Sequence, residues 1–146
     1  MSEMLVREPF VVALPANHRL TRSNRIALSS LADESFVFIR RDTVPMFYDL
    51  VLKVCRDAGF VPHAPHEADH PEMVLGLVAA GMGISLVPAS VRHARPRGVV
   101  LRSLRPSPRI LQSGVAWRRE NTSPMLDAFL KVARRALTAS HKPTRS

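Results

Sequence analysis

The sequence predicts an α/β fold with a mostly parallel sheet. Three short runs are continuously apolar, which is typical of strands that are covered on both faces, as in parallel sheets. Two segments with helical periodicity and one weaker strand are placed so that strands and helices alternate. Such alternation requires crossover connections, and these are right-handed in almost all known sheets.

Four segments are predicted to form the strands of this unit. They are FVVALP (10–15), SFVFI (35–39), HAPHEA (63–68) and ISLVP (84–88). The first and the last are apolar runs closed by a proline, and HAPHEA is the weakest of the four because it is largely polar.

The first helical pattern follows the strand SFVFI. Its apolar residues recur at spacings of three and four, and they are Phe47, Leu50, Val51, Val54 and Ala58. Asp42 or Thr43 is expected to cap the start of this helix, and Pro45 fits its first turn. Gly59 offers a left-handed stop and Phe60 the apolar contact that follows it.

The second helical pattern precedes the strand ISLVP. Asp69 lies three residues before Glu72, as in a capping box, and Pro71 is tolerated in the first turn. One face of the helix is apolar, with Met73, Val74, Leu77 and Val78. Gly81 is expected to end it.

The chain changes in character after Pro88. VVLRSL and LQSGVAW are predicted strands, and Ser123 with Pro124 is predicted to start a last helix. The apolar face of this helix contains Leu126, Phe129, Leu130, Ala133 and Leu137. Its basic residues lie towards the C-terminal end, where cations interact favourably with the helix dipole.

The length of 146 residues fits one ordinary domain or two small lobes. The formal net charge of +9 is unevenly distributed, because residues 1–88 contain 8 Lys+Arg and 10 Asp+Glu (net −2), and residues 89–146 contain 13 and 2 (net +11). Trp117 is the only aromatic residue among the arginines of the second segment. A single-strand binder would interleave aromatic and basic residues, so a solvated arginine-rich face is favoured over direct nucleic-acid binding.

Neither a membrane nor an oxidising compartment is indicated. No apolar run approaches the ~20 residues that span a bilayer, and the N-terminus lacks the apolar region of a secretory signal. The single cysteine, Cys55, excludes an internal disulfide, and its place on the apolar helix face predicts a buried, unreactive thiol. The sequence therefore predicts a cytoplasmic protein.

The candidate catalytic and metal motifs are weak. His63, His66 and His70 lie close together, but their spacing matches no common zinc motif, and no metal or cofactor is expected. The glycines of AAGMGIS follow a helix and precede a strand, which is the reverse of a dinucleotide loop. Ser85 and the six histidines could supply a nucleophile and a base, but no spacing assembles them. No catalytic residue is therefore assigned, and an enzyme is the weaker class.

The corner between SFVFI and the first helix, RRDTVPMF (40–47), is the candidate ligand site. In open α/β sheets, ligands bind outside the carboxyl ends of strands, and a helix N-terminus there offers free N–H groups to an anion. A small carboxylate would suit this chemistry. The alternative is an ordinary turn with Phe47 in the core.

Two longer stretches carry a resemblance to a known family. PFVVALPANHRLTRSNRIALSSLADESFVFI and LVAAGMGISLVPAS closely resemble the second lobe of the effector-binding domain of LysR-type transcriptional regulators. The resemblance covers residues 5–139. Within the family, Pro45 and Phe47 look most like the subgroup that controls catabolism of aromatic compounds.

The resemblance implies a periplasmic-binding-protein-like (type 2) fold of two α/β lobes, with a small-molecule effector between them. It implies effector contacts at Thr43, Pro45, Met46 and Phe47, although Met46 replaces a polar residue of some relatives. Arg7 matches a position that relatives can use for a second aromatic acid.

The resemblance also implies a domain organisation. Residues 1–9 would enter the hinge, 10–88 would form a complete second lobe, 89–139 would return to a partial first lobe, and 140–146 would be a disordered tail. The hinge would comprise Glu8, Pro9, Val87 and Pro88. A winged helix-turn-helix is absent from this sequence, so promoter DNA would be bound only through that missing domain.

An exposed apolar surface and homo-oligomerisation are expected in consequence of the partial first lobe. Two rival functions are a solute-binding protein of a transporter, which the missing signal sequence disfavours, and a small α/β enzyme.

Overall fold

The structure is a computed structural model that describes residues 1–94, 96–108 and 111–140. Its strands and α-helices in chain order are β1 (Ser2–Glu8), β2 (Phe10–Pro15), β3 (Arg25–Ala27), β4 (Ser35–Ile39), α1 (Pro45–Asp57), β5 (His63–Ala68), α2 (Pro71–Ala79), β6 (Ser85–Pro88), β7 (Val99–Arg105), β8 (Leu111–Ala116) and α3 (Pro124–Ser140). Contacts between residues divide the chain into two units, Glu8–Ile110 and Met1–Arg7 with Leu111–Ser146. The predicted tail at 140–146 lies outside the described residues, except that Ser140 ends α3.

The larger unit is built on β-strands that run mostly in one direction. Strands β3, β7, β2 and β6 are neighbours in that order, and β4 pairs with β5. A parallel bridge between Phe36 and Ile84 connects β4 to the start of β6. Because β2 is antiparallel to both β6 and β7, whereas β3–β7 and β4–β5 are parallel, β2 alone opposes the others. The predicted α/β class is confirmed, but the sheet is less parallel than expected, because both pairings of β2 are antiparallel.

Helices α1 and α2 cover opposite faces of these strands. The ring of Phe38 in β4 meets that of Tyr48 in α1, with centroids 5.2 Å apart. Val74 of α2 instead packs in a cluster with Val37 and Ile39. Since successive strand residues point to opposite faces, α1 lies on the Phe38 face and α2 on the other.

The predicted side-chain caps of these helices are wrong. The N-cap residues are Val44 for α1 and His70 for α2, and neither helix has a side-chain cap. Asp42 and Asp69 do not cap, because both carboxylates face the guanidinium of Arg40. The positions of Asp42 and Asp69 just before the helices suggested capping, but Arg40 forms ion pairs with both carboxylates.

The predicted helix ends are confirmed. Gly59 has a φ of 92°, and the N–H of Phe60 donates a hydrogen bond of 3.1 Å to the carbonyl of Cys55. This is the six-to-one bond of a Schellman motif. Gly81 ends α2 in the same way, with φ of 80°.

The chain remains in the larger unit beyond Pro88. Strand β7 pairs with β2 through five residues and with β3 through three. Val87 and Pro88 therefore lie in a strand inside this unit, and the division between units falls after Arg7 and after Ile110. Long-range strand pairing, which the composition of the segment does not reveal, attaches β7 to this unit, and the grouping of 89–139 with a first lobe stays a prediction.

The smaller unit pairs β1 with β8 and contains α3. The guanidinium of Arg134 donates to both carboxylate oxygens of Glu3, at 2.8 and 2.6 Å. Met125, Phe129 and Val132 follow one stripe of α3 and are 80%, 54% and 66% exposed. The predicted exposed apolar surface is therefore present on this helix. Among the described residues, no helix combines the length and apolar character needed to cross a membrane.

Candidate functional site

An apolar pocket of about 230 Å³ lies at the carboxyl ends of β4 and β6 in the larger unit. It is lined by Ile39, Val44, Phe47, Pro71, Val74, Leu75, Ser85, Leu86, Val87, Pro88 and Val91. Every lining side chain except that of Ser85 is apolar. The pocket therefore suits a ligand with an apolar body.

The alternation of elements creates this pocket. The first turn of α1 contributes Val44 and Phe47 from one face of the strands, and the first turn of α2 contributes Pro71 and Val74 from the other. The two helix starts thus meet beyond the strand ends. Crevices of this kind, outside the carboxyl ends of strands, are the usual ligand sites of open α/β sheets.

Both helices begin with free backbone donors. Pro45 and Pro71 occupy the first helical positions, and the first intrahelical bonds end on the carbonyls of Val44 and His70. The N–H groups without an intrahelical acceptor are those of Met46, Phe47, Glu72 and Met73. Helix N-termini with such free donors are common binding places for anions.

The four predicted contact residues lie in one turn, but they are not equivalent. Phe47 lines the pocket, and its ring contacts that of Phe10 with centroids 5.7 Å apart. Thr43, Pro45 and Met46 lie at the start of the helix without lining the pocket, and Met46 is 86% exposed. The sequence left open whether Phe47 belongs to the core or to a ligand site. In the structure its ring packs against the core and also borders the pocket.

Several lining residues were missed by sequence reasoning. Val44, Val74, Leu75 and Val91 carry no polar signal that separates them from core residues. Ser85 was considered only as a nucleophile, and its position in a buried strand beside the pocket depends on pairing with β2. The only signal available in the sequence was the position of these residues near a strand end or a helix start.

Ion pairs fix the exposed corner next to the pocket. The guanidinium of Arg40 donates to Asp42 from Nε at 3.1 Å, and its Nη1 lies 3.5 Å from Asp69. The hydrogen bond from Arg40 holds the pKa of the Asp42 carboxyl below its ordinary value. The guanidinium of Arg41 donates two hydrogen bonds to the carboxylate of Asp49. Both arginines at this corner are thus paired with carboxylates.

The predicted hinge residues lie side by side where the chain enters the larger unit. The carboxylate of Glu8 accepts a hydrogen bond from the N–H of Ser90 at 2.8 Å, and the carbonyl of Pro9 accepts one from Ala89 at 3.0 Å. Arg7 belongs to the smaller unit, where its Nε lies 3.0 Å from the sulfur of Met4. A hinge function and a second acid site at Arg7 stay predictions.

Acidic, histidine and cysteine side chains are the groups that could bind a metal ion. In the part of the chain that the structure describes, no three His, Cys, Asp or Glu side chains are grouped as metal ligands. Cys55 is fully buried, and burial raises the pKa of its thiol to about 12. Such a thiol is protonated at neutral pH and is a poor nucleophile.

Comparison with known sequences gives a family for this architecture. The model of the LysR substrate binding domain matches residues 2–138. The transcriptional regulator AlsR of Bacillus subtilis (strain 168) is 31% identical over 125 residues, which are 86% of this chain and 41% of AlsR. The regulator TtuA of Agrobacterium vitis is 33% identical over 132 residues, which are 88% of this chain and 43% of TtuA. The chain thus spans about two fifths of these relatives.

Solved structures agree with this match. The effector binding domain of BenM with benzoate has a TM-score of 0.80 and 26% identity, over 99% of this chain and 67% of that one. Reduced OxyR has a TM-score of 0.74 and 26% identity, over 98% and 66%. These domains have the periplasmic-binding-protein-like type 2 fold. The relatives are named as regulators, in agreement with the expectation that the chain is not an enzyme. The chain belongs to the LysR substrate binding domain family, the effector-binding domain of LysR-type transcriptional regulators.

Proposed function

We propose that this domain binds a small organic acid, of the class of aromatic-derived carboxylates, in the pocket at the carboxyl ends of β4 and β6. The observation that carries the proposal is the combination of an apolar pocket with two uncapped helix starts at its rim. An aromatic ring would occupy the apolar space beside Phe47, and the carboxylate would accept hydrogen bonds from the first turns of α1 and α2.

The likeness to BenM supports the aromatic class. That protein was solved with its effector benzoate, and its fold covers 99% of this chain. The pair Pro45 and Phe47, which suggested the aromatic-catabolism subgroup, lies in the first turn of α1. Neither Arg40 nor Arg41 is needed for the acid, because both already pair with carboxylates.

The wider function follows from the family. We propose that residues 10–88 form the second lobe, that residues 89–139 return to a partial first lobe, and that the hinge comprises Glu8, Pro9, Val87 and Pro88. Effector binding would shift an equilibrium between conformations and so change how an oligomeric, cytoplasmic regulator holds promoter DNA through an N-terminal domain. Regulators are favoured over transport proteins because the curated relatives are named as regulators.

Titration of the 146-residue chain with benzoate, followed by amide chemical shifts, tests this proposal. The expected shifts are in the first turns of α1 and α2, with saturation at millimolar or lower concentration. Phe47→Ala should weaken binding at least roughly tenfold, since it removes the aromatic wall. Val61→Ala, at a side chain that is 69% exposed and does not line the pocket, is the matched control. Benzoate that shifts no amide near the pocket would refute the proposal.

A further inference from the structure

Ser85 is the one polar side chain among those that line the pocket, and its environment is unusual. The residue is only 5% exposed, on a strand whose other lining residues are apolar. None of the described residues gives its hydroxyl a hydrogen-bond partner. Because no described residue pairs with it, this hydroxyl is left to hydrogen-bond with a molecule from outside the chain.

The hydroxyl of Ser85 is accessible despite this burial. Over the described residues, no side-chain nitrogen or oxygen is both sealed from solvent and unpaired. Since the Ser85 oxygen is unpaired, it must open to solvent. Ser85 borders the pocket, and it also borders a crevice of about 10 Å³ whose lining includes Phe38, Ile39 and Leu86. The hydroxyl is therefore available to a molecule in the pocket.

The separation of two strands places this opening. Strands β4 and β6 share only the bridge between Phe36 and Ile84, after which their pairing ends. Ser85 is the next residue after that bridge, two residues before Val87. At about 3.3 Å per residue, the Cα atoms of Ser85 and Val87 are roughly 7 Å apart along β6. This distance is comparable to the length of a substituted six-membered ring.

We propose that Ser85 is a specificity-determining residue, and that the effector carries a hydroxyl or carbonyl oxygen on its ring, remote from its carboxylate. This inference rests on the proposed function. The carboxylate would bind at the helix starts, the ring would lie against the apolar wall, and the ring oxygen would exchange a hydrogen bond with the Ser85 hydroxyl. The ligand class is thus narrowed from aromatic acids to oxygenated ring acids.

Hydroxylated and methylated acids are expected to differ in affinity because only the hydroxylated acid gives the Ser85 hydroxyl a hydrogen-bond partner. A methyl-substituted acid of similar size would cover the Ser85 hydroxyl without giving it a partner. A hydroxylated acid would give it one. Sites that are built to hydrogen-bond a substrate hydroxyl reject analogues that lack it more strongly than apolar pockets reject a change in size.

The test compares the three hydroxybenzoates with the three methylbenzoates by amide-shift titration of the 146-residue chain. At least one hydroxybenzoate is expected to bind about tenfold more tightly than its methyl counterpart. Ser85→Ala should bring this ratio close to one. Ser29→Ala, at an exposed serine outside the pocket, should leave the ratio unchanged.

Two results would overturn the inference while leaving the proposed function intact. One is equal affinity for every hydroxyl and methyl pair together with binding of benzoate at the pocket. The other is a preference for hydroxyl that survives in Ser85→Ala. If no benzoate derivative shifts amides at the pocket, the proposed function fails and the inference fails with it.

Discussion

Replacement of Gly83 by alanine is expected to destabilise the junction between β4 and β6. A Cβ atom at this position would lie 2.6 Å from the carbonyl oxygen of Ser35 and 3.1 Å from its carbonyl carbon. Both atoms belong to the backbone of β4, so no side-chain rotation can relieve the contact. The φ angle of Gly83 is also 156°, which side-chain-bearing residues rarely adopt.

The magnitude follows from what must move. Relief of the contact would separate Ser35 from Ile84 and weaken two hydrogen bonds, from Ile84 N–H to Ser35 at 2.9 Å and from Val37 N–H to Ile84 at 2.8 Å. Overpacking costs about 1–3 kcal/mol, and each hydrogen bond contributes about 1 kcal/mol, so the expected loss is about 3–5 kcal/mol. For a unit of this size, the melting temperature should fall by roughly 12 °C or more.

Thermal unfolding followed by circular dichroism measures this loss, with Gly76→Ala as the control. Gly76 lies inside α2, and a Cβ atom there would meet nothing within 4 Å. Alanine at that position should stabilise the helix by up to about 1 kcal/mol. A melting temperature for Gly83→Ala within about 3 °C of the unmodified protein would refute the steric reasoning.

Three further predictions concern single side chains. Phe47→Ala should leave a folded protein whose free energy of unfolding is lower by about 1–3 kcal/mol, because the ring is only partly buried. If calorimetric titration shows an unchanged affinity for benzoate, the role of Phe47 is purely structural. Cys55, with its thiol pKa raised from 9.0 to about 12 by burial, should react with a thiol reagent at pH 8 only as the protein unfolds. Because the native thiol retains its proton where the unfolded thiol has lost it, stability should fall between about pH 9 and pH 12, and a flat profile there would contradict burial. The carboxyl of Asp42 should titrate below its ordinary pKa in an NMR pH series, and Arg40→Gln should move it upwards, whereas an unmoved value would mean that the ion pair does not persist in solution.

Much of the secondary structure could be predicted because its causes are local. Strand β4 occupies the apolar run SFVFI, and α1 ends where Gly59 permits a positive φ. The place of Gly83 between a helix and a strand was read from the sequence, and the close approach of the Ser35 carbonyl gives the reason for a glycine there. The position of Phe47 in the first turn of α1 also followed from spacing.

The sequence by itself determined the α/β class, the turn that carries Phe47 and the places of the helices and of the strands other than β1 and β3. The tertiary structure alone decided that β2 opposes its neighbours, that β7 joins their sheet, and that Asp42 and Asp69 pair with Arg40 instead of capping. It also decided that Ser85 borders a pocket. The physical reason is range: periodicity and turn chemistry act within a few residues, whereas strand pairing, ion pairs and pockets join residues that are distant in the chain.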